Sequence, residues 1–146
     1  MYVSKVTVRN FRLLQDVELC LDKKTTVIVG RNNSGKTSLT ELFRRLTRDE
    51  SPRFRLEDFS LGVHDRFWRA SELHNAGADE NEIRNTLPTI DVVLTIDYRD
   101  SDTDLGALSH FVIDLDVACT EARINIVYAL EDGKIPELLD DLPADR

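Results

Sequence analysis

A glycine-rich segment at residues 30–37, with the sequence Gly-Arg-Asn-Asn-Ser-Gly-Lys-Thr, constrains the fold of this chain more than any other feature. It fits the pattern G-x-x-x-x-G-K-[ST] of phosphate-binding loops, which lie between a buried strand and the start of a helix. Residues 25–29 end in three successive apolar side chains, as in a strand buried on both faces. The spacing of an amphipathic helix then appears in four apolar residues: Leu39, Leu42, Phe43 and Leu46. The sequence therefore predicts a strand, a phosphate loop and a helix in the required order.

The residue types of this segment match the chemistry of nucleotide binding. Gly30 and Gly35 allow the tight turn, and backbone N–H groups from about Asn33 onward are expected to cradle phosphates. Lys36 is expected to reach the β- and γ-phosphates and is the catalytic candidate, while the Thr37 hydroxyl is expected to ligate Mg²⁺. The predicted nucleotide-binding residues of the loop are Gly30, Arg31, Asn32, Asn33, Ser34, Gly35, Lys36, Thr37 and Ser38. The D-x-x-G and N-K-x-D motifs of GTPases do not occur in the sequence.

The rest of the chain reads as one α/β domain over residues 1–146, with four regions. Residues 1–46 hold two strands joined by a short connection, followed by the loop, its strand and its helix. Residues 47–87 are mostly polar, are broken by Ser51 and Pro52, and predict an irregular or helical insertion. Period-two alternation in residues 88–130 predicts an antiparallel meander of three strands, at 90–98, 111–117 and 124–130, with one face in water. Residues 131–146 form an acidic end with a helix starting near Pro136.

Charge and composition restrict the possible partners. The net charge of −8 gives no basic field of the kind that drives sequence-independent nucleic-acid binding, so we expect no strong DNA contact through this chain. Its one basic stretch, arginines 44, 45, 48, 53 and 55, is interpreted as an exposed helix end. Apolar runs fall far short of the roughly 20 residues that cross a bilayer, and no signal-peptide core is present, so we expect a cytoplasmic protein without membrane contact.

Other candidate sites are rejected from the sequence. Cys20 and Cys119 lie far apart and are interpreted as buried small apolar residues. Residues 100–111 resemble a calcium loop, but the glycine falls at position seven and Phe111 takes the place of the bidentate glutamate. His64 and Asp65 lack the further ligands that a metal site needs.

A family resemblance covers residues 3–46. Asn10, Phe11 and Arg12 at the end of the first strand, together with the loop pattern G-x-N-x-x-G-K-[ST], resemble ABC-type ATPase heads of the RecF, SMC and double-strand-break-repair group. The chain is most similar to the OLD (overcoming lysogenisation defect) family of ATP-dependent endonucleases. The residues Leu-Glu-Asp-Phe at 56–59 and the strand at 88–98 are similar in placement to the OLD head.

The resemblance implies a P-loop NTPase head with a mixed β-sheet, an antiparallel meander and a helix after the loop. Two copies of such a head sandwich ATP with Mg²⁺, so it implies a homodimer or higher oligomer. Arg12 would reach the nucleotide phosphates, and Asn32 would hold the loop and approach the γ-phosphate. Such proteins act on DNA, often in defence against phage, and ATP-driven engagement of the heads would control DNA processing.

The catalytic half of such a head has no clear counterpart in these 146 residues. Two segments, 93–98 and 111–115, mimic a Walker B strand, but each lacks the catalytic glutamate and is better read as an alternating strand with a solvated aspartate. No Ser-Gly-Gly signature occurs, Gln15 comes too early for the metal-contacting glutamine, and nothing represents a Toprim nuclease domain. We therefore expect the N-terminal part of an ATPase, which alone binds ATP weakly and hydrolyses it slowly or not at all.

Three alternatives stay open at this stage. The chain could belong to a RecF-like or SMC-like DNA-repair head rather than to an OLD protein. It could be a non-hydrolysing, ATP-sensing interaction module, in which nucleotide controls association without turnover. An unrelated P-loop kinase would instead require phosphate transfer to a small acceptor.

Overall fold

A four-stranded sheet forms the centre of the structure. The computed structural model describes residues 1–48, 54–99 and 118–140. The strands are β1 (Tyr2–Phe11), β2 (Leu14–Cys20), β3 (Ile90–Asp97) and β4 (Glu121–Tyr128). They lie in the order β2-β1-β3-β4, and all three pairings are antiparallel. The predicted N-terminal hairpin is confirmed, and strands are present near 90–98 and 124–130 as predicted. These two strands pair directly with each other and β1 lies on the other side of β3, so the predicted meander, in which 111–117 lies between them, is wrong in its strand order. Residues 111–117 themselves lie outside the described residues.

The described residues contain four helices, and buried residues of each belong to the core on one face of the sheet: α1 (Lys36–Arg48), α2 (His64–Asn75), α3 (Glu80–Thr86) and α4 (Ile135–Asp140). Two short 3₁₀ turns, at Leu56–Asp58 and Leu61–Val63, precede α2. The predicted loop helix and the helix near Pro136 are thus confirmed, and the described part of the insertion is largely helical. Arg66 of α2 donates to the carbonyl oxygens of Asn85, Thr86 and Leu87 at 3.2, 2.8 and 3.1 Å, so it caps the end of α3.

The two faces of the sheet differ as the alternation predicted. Val8 of β1 pairs with Val17 and Val92, and its side chain is buried in one core cluster that also includes Leu42 of α1 and Phe67 of α2. The opposite face carries charges in cross-strand ion pairs, such as Lys5 Nζ with Glu18 Oε1 at 3.2 Å. Thr95 is an exception to the predicted alternation, because it is buried although the sequence pattern placed it on the polar face.

The prediction of a buried strand at residues 25–29 is wrong for this structure. These residues are not in a strand, and Val27 and Val29 are 77% and 84% exposed. The mixed sheet implied by the resemblance is likewise not observed, since the described strands are all antiparallel. A strand needs a neighbour to accept its backbone hydrogen bonds, and none of the described strands pairs with residues 25–29. Successive apolar side chains report a tendency to be buried; they do not report whether a partner strand is present.

Candidate nucleotide-binding site

The loop is closed around the ammonium group of Lys36. Lys36 Nζ donates to the carbonyl oxygens of Gly30 and Arg31 at 2.6 and 2.5 Å, and lies 3.2 Å from Ser34 Oγ. These contacts use the three donors of a lysine side chain. Lys36 is also the first residue of α1, so the positive charge lies at the end of the helix where free N–H groups already favour an anion.

Gly35 fixes the loop against the turn between β1 and β2. Its φ of +86° lies in the left-handed region, and its backbone is buried. A Cβ atom at this position would lie 2.9 Å from Leu14 Cδ2 and 3.7 Å from Leu13 Cβ, so the turn is in direct contact with the loop. Asn33 also has a positive φ, +65°, which asparagine tolerates better than most residues. The predicted tight turn is therefore present and needs glycine at position 35.

The other predicted loop residues surround this centre in two groups. An exposed group lies where a ligand can approach and consists of Gly30, Arg31, Asn32, Asn33, Ser34 and Thr37. Ser38 is different, because its side chain is buried and only its backbone can serve a ligand. Within residues 1–48, 54–99 and 118–140, no three His, Cys, Asp or Glu side chains cluster in a way that could hold a metal ion. The predicted Mg²⁺ contact of the exposed Thr37 hydroxyl stays a prediction.

Arg12 lies in the turn between β1 and β2, and residues 58–60 form hydrogen bonds with the backbone of this turn. Asn10 and Arg12 have positive φ values of 61° and 49°, and Phe11 between them forms a bridge with Phe59. The Arg12 N–H donates to the Asp58 carbonyl at 2.8 Å, and the Ser60 hydroxyl donates to the Arg12 carbonyl at 2.7 Å. These bonds hold a backbone conformation that non-glycine residues adopt with strain.

Asp58 connects this turn to α1. Its side chain is 1% exposed, and its carboxylate accepts from Arg12 Nε at 2.8 Å, from Arg45 Nη1 at 2.6 Å and from the Arg55 N–H at 3.0 Å. Burial, the largest single influence, raises the pKa of Asp58, but the hydrogen bonds from Arg45, Arg55 and Arg12 together bring it below its usual value. Sequence reasoning missed this residue, although the Leu-Glu-Asp-Phe segment that contains it was a visible signal. The predicted contact of Arg12 with phosphate stays a prediction, because its guanidinium is bound to Asp58 in this structure.

The basic stretch at the end of α1 is partly neutralised. The Glu41 carboxylate accepts hydrogen bonds from Arg44 at 2.8 Å and from Arg45 at 2.8 Å. These two bonds, of which the one from Arg44 has the larger effect, lower the pKa of Glu41 to about 2. Arg45 also binds Asp58. Arg53 lies outside the described residues. The interpretation of this stretch as an exposed helix end holds for Arg44 and Arg48, which are exposed, but not for Arg45, whose side chain is only 13% exposed.

The residues of the sites rejected from the sequence have ordinary structural contacts or are free thiols. A ring nitrogen of His64 lies 3.1 Å from the carbonyl oxygen of Phe59, and Asp97, in the Walker B mimic at 93–98, accepts from the Arg99 N–H at 2.9 Å. Both cysteines are free thiols, but Cys20 is exposed, so the prediction that it is buried is wrong. It lies in the edge strand β2 opposite Lys5, on the polar face of the sheet. The second Walker B mimic, at 111–115, and the calcium-like segment at 100–111 lie outside the described residues.

Comparisons with known proteins agree on the class of the domain. A family model described as AAA ATPase domain matches residues 1–139. The chain is 36% identical over 53 residues to the DNA replication and repair protein RecF of Bacillus cytotoxicus. That match covers 36% of this chain and 14% of RecF, so the chain matches only a small part of its relative's length. None of the helices in the described part of the chain is long and apolar enough to span a membrane.

Proposed function

The chain belongs to the AAA ATPase domain family, and from this premise we propose that it binds ATP with Mg²⁺ through residues 30–38. The observation that carries the proposal is the loop closed around Lys36 Nζ at the start of α1. Phosphate oxygens are better partners for an ammonium group than neutral carbonyls, because the hydrogen bond then joins two opposite charges. A nucleotide would therefore replace the Gly30 and Arg31 carbonyls as the partner of Lys36.

The roles proposed for side chains of the loop belong to residues that a ligand can reach. Backbone N–H groups at the start of α1 would bind the α- and β-phosphates, and Lys36 would bind the β- and γ-phosphates. The exposed Thr37 hydroxyl would hold Mg²⁺, which neutralises phosphate charge when bound. Asn32 would approach the γ-phosphate, and Arg12 would add a second cation from the β1–β2 turn.

A proposal for the activity of the whole protein draws on the resemblance to ABC-type ATPase heads and on the match to RecF. We propose an ATPase head of the RecF, SMC and OLD group, in which two heads close on ATP and control DNA processing. The match to RecF favours the branch of DNA-repair ATPases, while the loop and the Leu-Glu-Asp-Phe segment favour an OLD-type endonuclease whose nuclease residues lie outside this chain. In either branch, we propose that efficient hydrolysis needs groups that these 146 residues do not supply.

Binding is tested with the Lys36→Ala variant and a fluorescent ATP analogue in the presence of Mg²⁺. We expect the variant to weaken binding by about tenfold to a hundredfold, because a charge-assisted hydrogen bond to phosphate is lost. Lys24→Ala is the matched control, since Lys24 is exposed and precedes the loop. Equal affinities of the Lys36→Ala and Lys24→Ala variants would show that the loop is not the binding site.

Association is tested separately by sedimentation velocity with a non-hydrolysable ATP analogue and Mg²⁺. We expect dimers only when nucleotide is present, because each site is proposed to be completed by a second copy. The Lys36→Ala variant should stay monomeric under both conditions. A wild-type protein that binds nucleotide but remains monomeric would contradict the dimer proposal and leave the ATP site standing.

A further inference from the structure

Asp58 touches both elements that frame the phosphate loop. It binds Arg45 of α1, the helix whose first residue is Lys36, and it binds Arg12, which directly precedes the two leucines packed on Gly35. We propose that Asp58 is a positioning residue for the nucleotide site: it holds α1 and the β1–β2 turn in the arrangement that shapes the loop. This inference rests on the proposed binding of ATP by that loop.

The link is tight because two cations share one buried anion. Arg12 and Arg45 both lie over the ring of Phe11, with 5.4 and 5.9 Å between guanidinium carbon and ring centroid. Arg45 also lies 5.3 Å from the ring of Phe54. Without the carboxylate, two positive charges would lie over the same aromatic ring without the buried anion that joins them. Asp58 therefore neutralises both guanidinium groups, and for Arg45 it does so together with Glu41.

A shift of the turn would reach the loop directly. The turn is held by three hydrogen bonds to residues 58 and 60, and its backbone at Asn10 and Arg12 is strained. On the other side, Leu14 is buried and already in contact with Gly35. Since packed interiors transmit displacement instead of absorbing it, loosening the turn should widen the loop at Gly35 and misplace the N–H groups that follow.

The first test compares Asp58→Asn with Glu57→Gln, which removes the neighbouring charge on the same 3₁₀ turn. Glu57 pairs only loosely with Arg55, at 3.6 Å, and is exposed, so it is a matched control. Affinity for a fluorescent ATP analogue with Mg²⁺ is measured at a temperature at which circular dichroism shows every variant folded. We expect Asp58→Asn to weaken binding about tenfold and Glu57→Gln to leave it unchanged. A folded Asp58→Asn variant with wild-type affinity would overturn the inference.

A double variant separates positioning from general stabilisation. Asp58→Asn should weaken binding much less in an Arg12→Ala background than in the wild-type protein, because the ion pair between the Asp58 side chain and the turn is then already broken. Independent, multiplying effects would show that Asp58 does not act through the turn. If Asp58→Asn does not fold, Ser60→Ala loosens the same turn while keeping the buried ion pairs. It should then weaken binding about threefold, and an unchanged affinity would count against the inference.

A second readout does not depend on ATP. The amide signals of Gly35 and Lys36 in a ¹H–¹⁵N NMR spectrum should shift in Asp58→Asn and Ser60→Ala, and should stay in place in Glu57→Gln. Unshifted signals in the first two variants would overturn the inference even if the wild-type protein binds ATP. Shifted signals in a protein that does not bind ATP would leave the structural link intact and would show that the proposed function has failed.

Discussion

At the scale of single residues, Gly35 shows how one position serves both the loop and the core. Its positive φ requires a residue without a Cβ atom, and its contact with Leu14 leaves no space for one. The loop pattern predicted a glycine here for the sake of the phosphate. The contact with Leu14 was not predictable, because no sequence pattern relates the β1–β2 turn to a loop about twenty residues later. Packing against Leu14 is therefore a second reason why this position requires glycine.

A pair of glycine variants separates these two reasons. Gly77 also has a positive φ, +72°, but a Cβ there would meet no atom within 4 Å. Gly77→Ala should therefore lower the free energy of unfolding by about 1–2 kcal/mol, the cost of the left-handed backbone alone. Gly35→Ala should lower it by a further 1–3 kcal/mol or so, because the buried Leu14 side chain must be displaced. Urea denaturation measures both, and equal losses would mean that the contact with Leu14 has no energetic weight.

At the scale of elements, the sequence predicted those that have a local pattern, but not which strands pair across long stretches of the chain, as β3 does with β1 and β4. The β1–β2 hairpin, α1 and the strands near 90–98 and 124–130 were predicted because alternation or helical spacing is a local property. The strand at 25–29 was not correct, because its existence depends on a neighbour that no local pattern reports. Asp58 was missed for a related reason: its arginine partners lie 13 and 46 residues away in the chain.

Hydrogen exchange tests the difference between β1 and residues 25–29. Amides at Val27, Ile28 and Val29 should exchange at the earliest times, because these residues are exposed and lie outside any strand. Amides at Val6 and Val8 should be protected, since β1 has a strand on each side. Mass spectrometry of peptides from the two segments provides the measurement. Equal protection of both peptides would mean that residues 25–29 have found a partner strand in solution.

At the scale of the whole molecule, acid should unfold the protein through its paired carboxylates. Asp58 has a pKa below its ordinary value of 3.8, because its hydrogen bonds from Arg45, Arg55 and Arg12 outweigh the opposing effect of burial. A carboxylate with a lowered pKa in the folded state stabilises the fold above the unfolded pKa. That contribution is lost as the pH falls through the lower, folded value. The stability of the molecule should therefore decline steeply below about pH 4.

The Asp58→Asn variant should show a weaker dependence on pH. It loses stability at neutral pH, by about 3 kcal/mol, because two arginines lose their buried partner. Between about pH 7 and pH 3 it should then lose less additional stability than the wild-type protein. Asp16→Asn is the control, because Asp16 forms an exposed pair with Arg9 and should leave the wild-type pH profile unchanged. The measurement is the midpoint of urea denaturation of each protein at the two pH values. Equal changes of stability with pH in all three proteins would contradict the role given to Asp58.

The helical hairpin of α2 and α3 offers a position at which the protein can be labelled for functional experiments. Arg66 fastens the far end of α3 back onto α2, while Gly77 at the tip faces open space. Exposed tips of this kind accept inserted residues, because nothing packed has to move. A fluorophore or an affinity tag attached at the exposed Ala76, which keeps the left-handed Gly77 in place, should thus report on the protein without disturbing its loop. The tip of this hairpin is the natural attachment point for single-molecule or pull-down experiments.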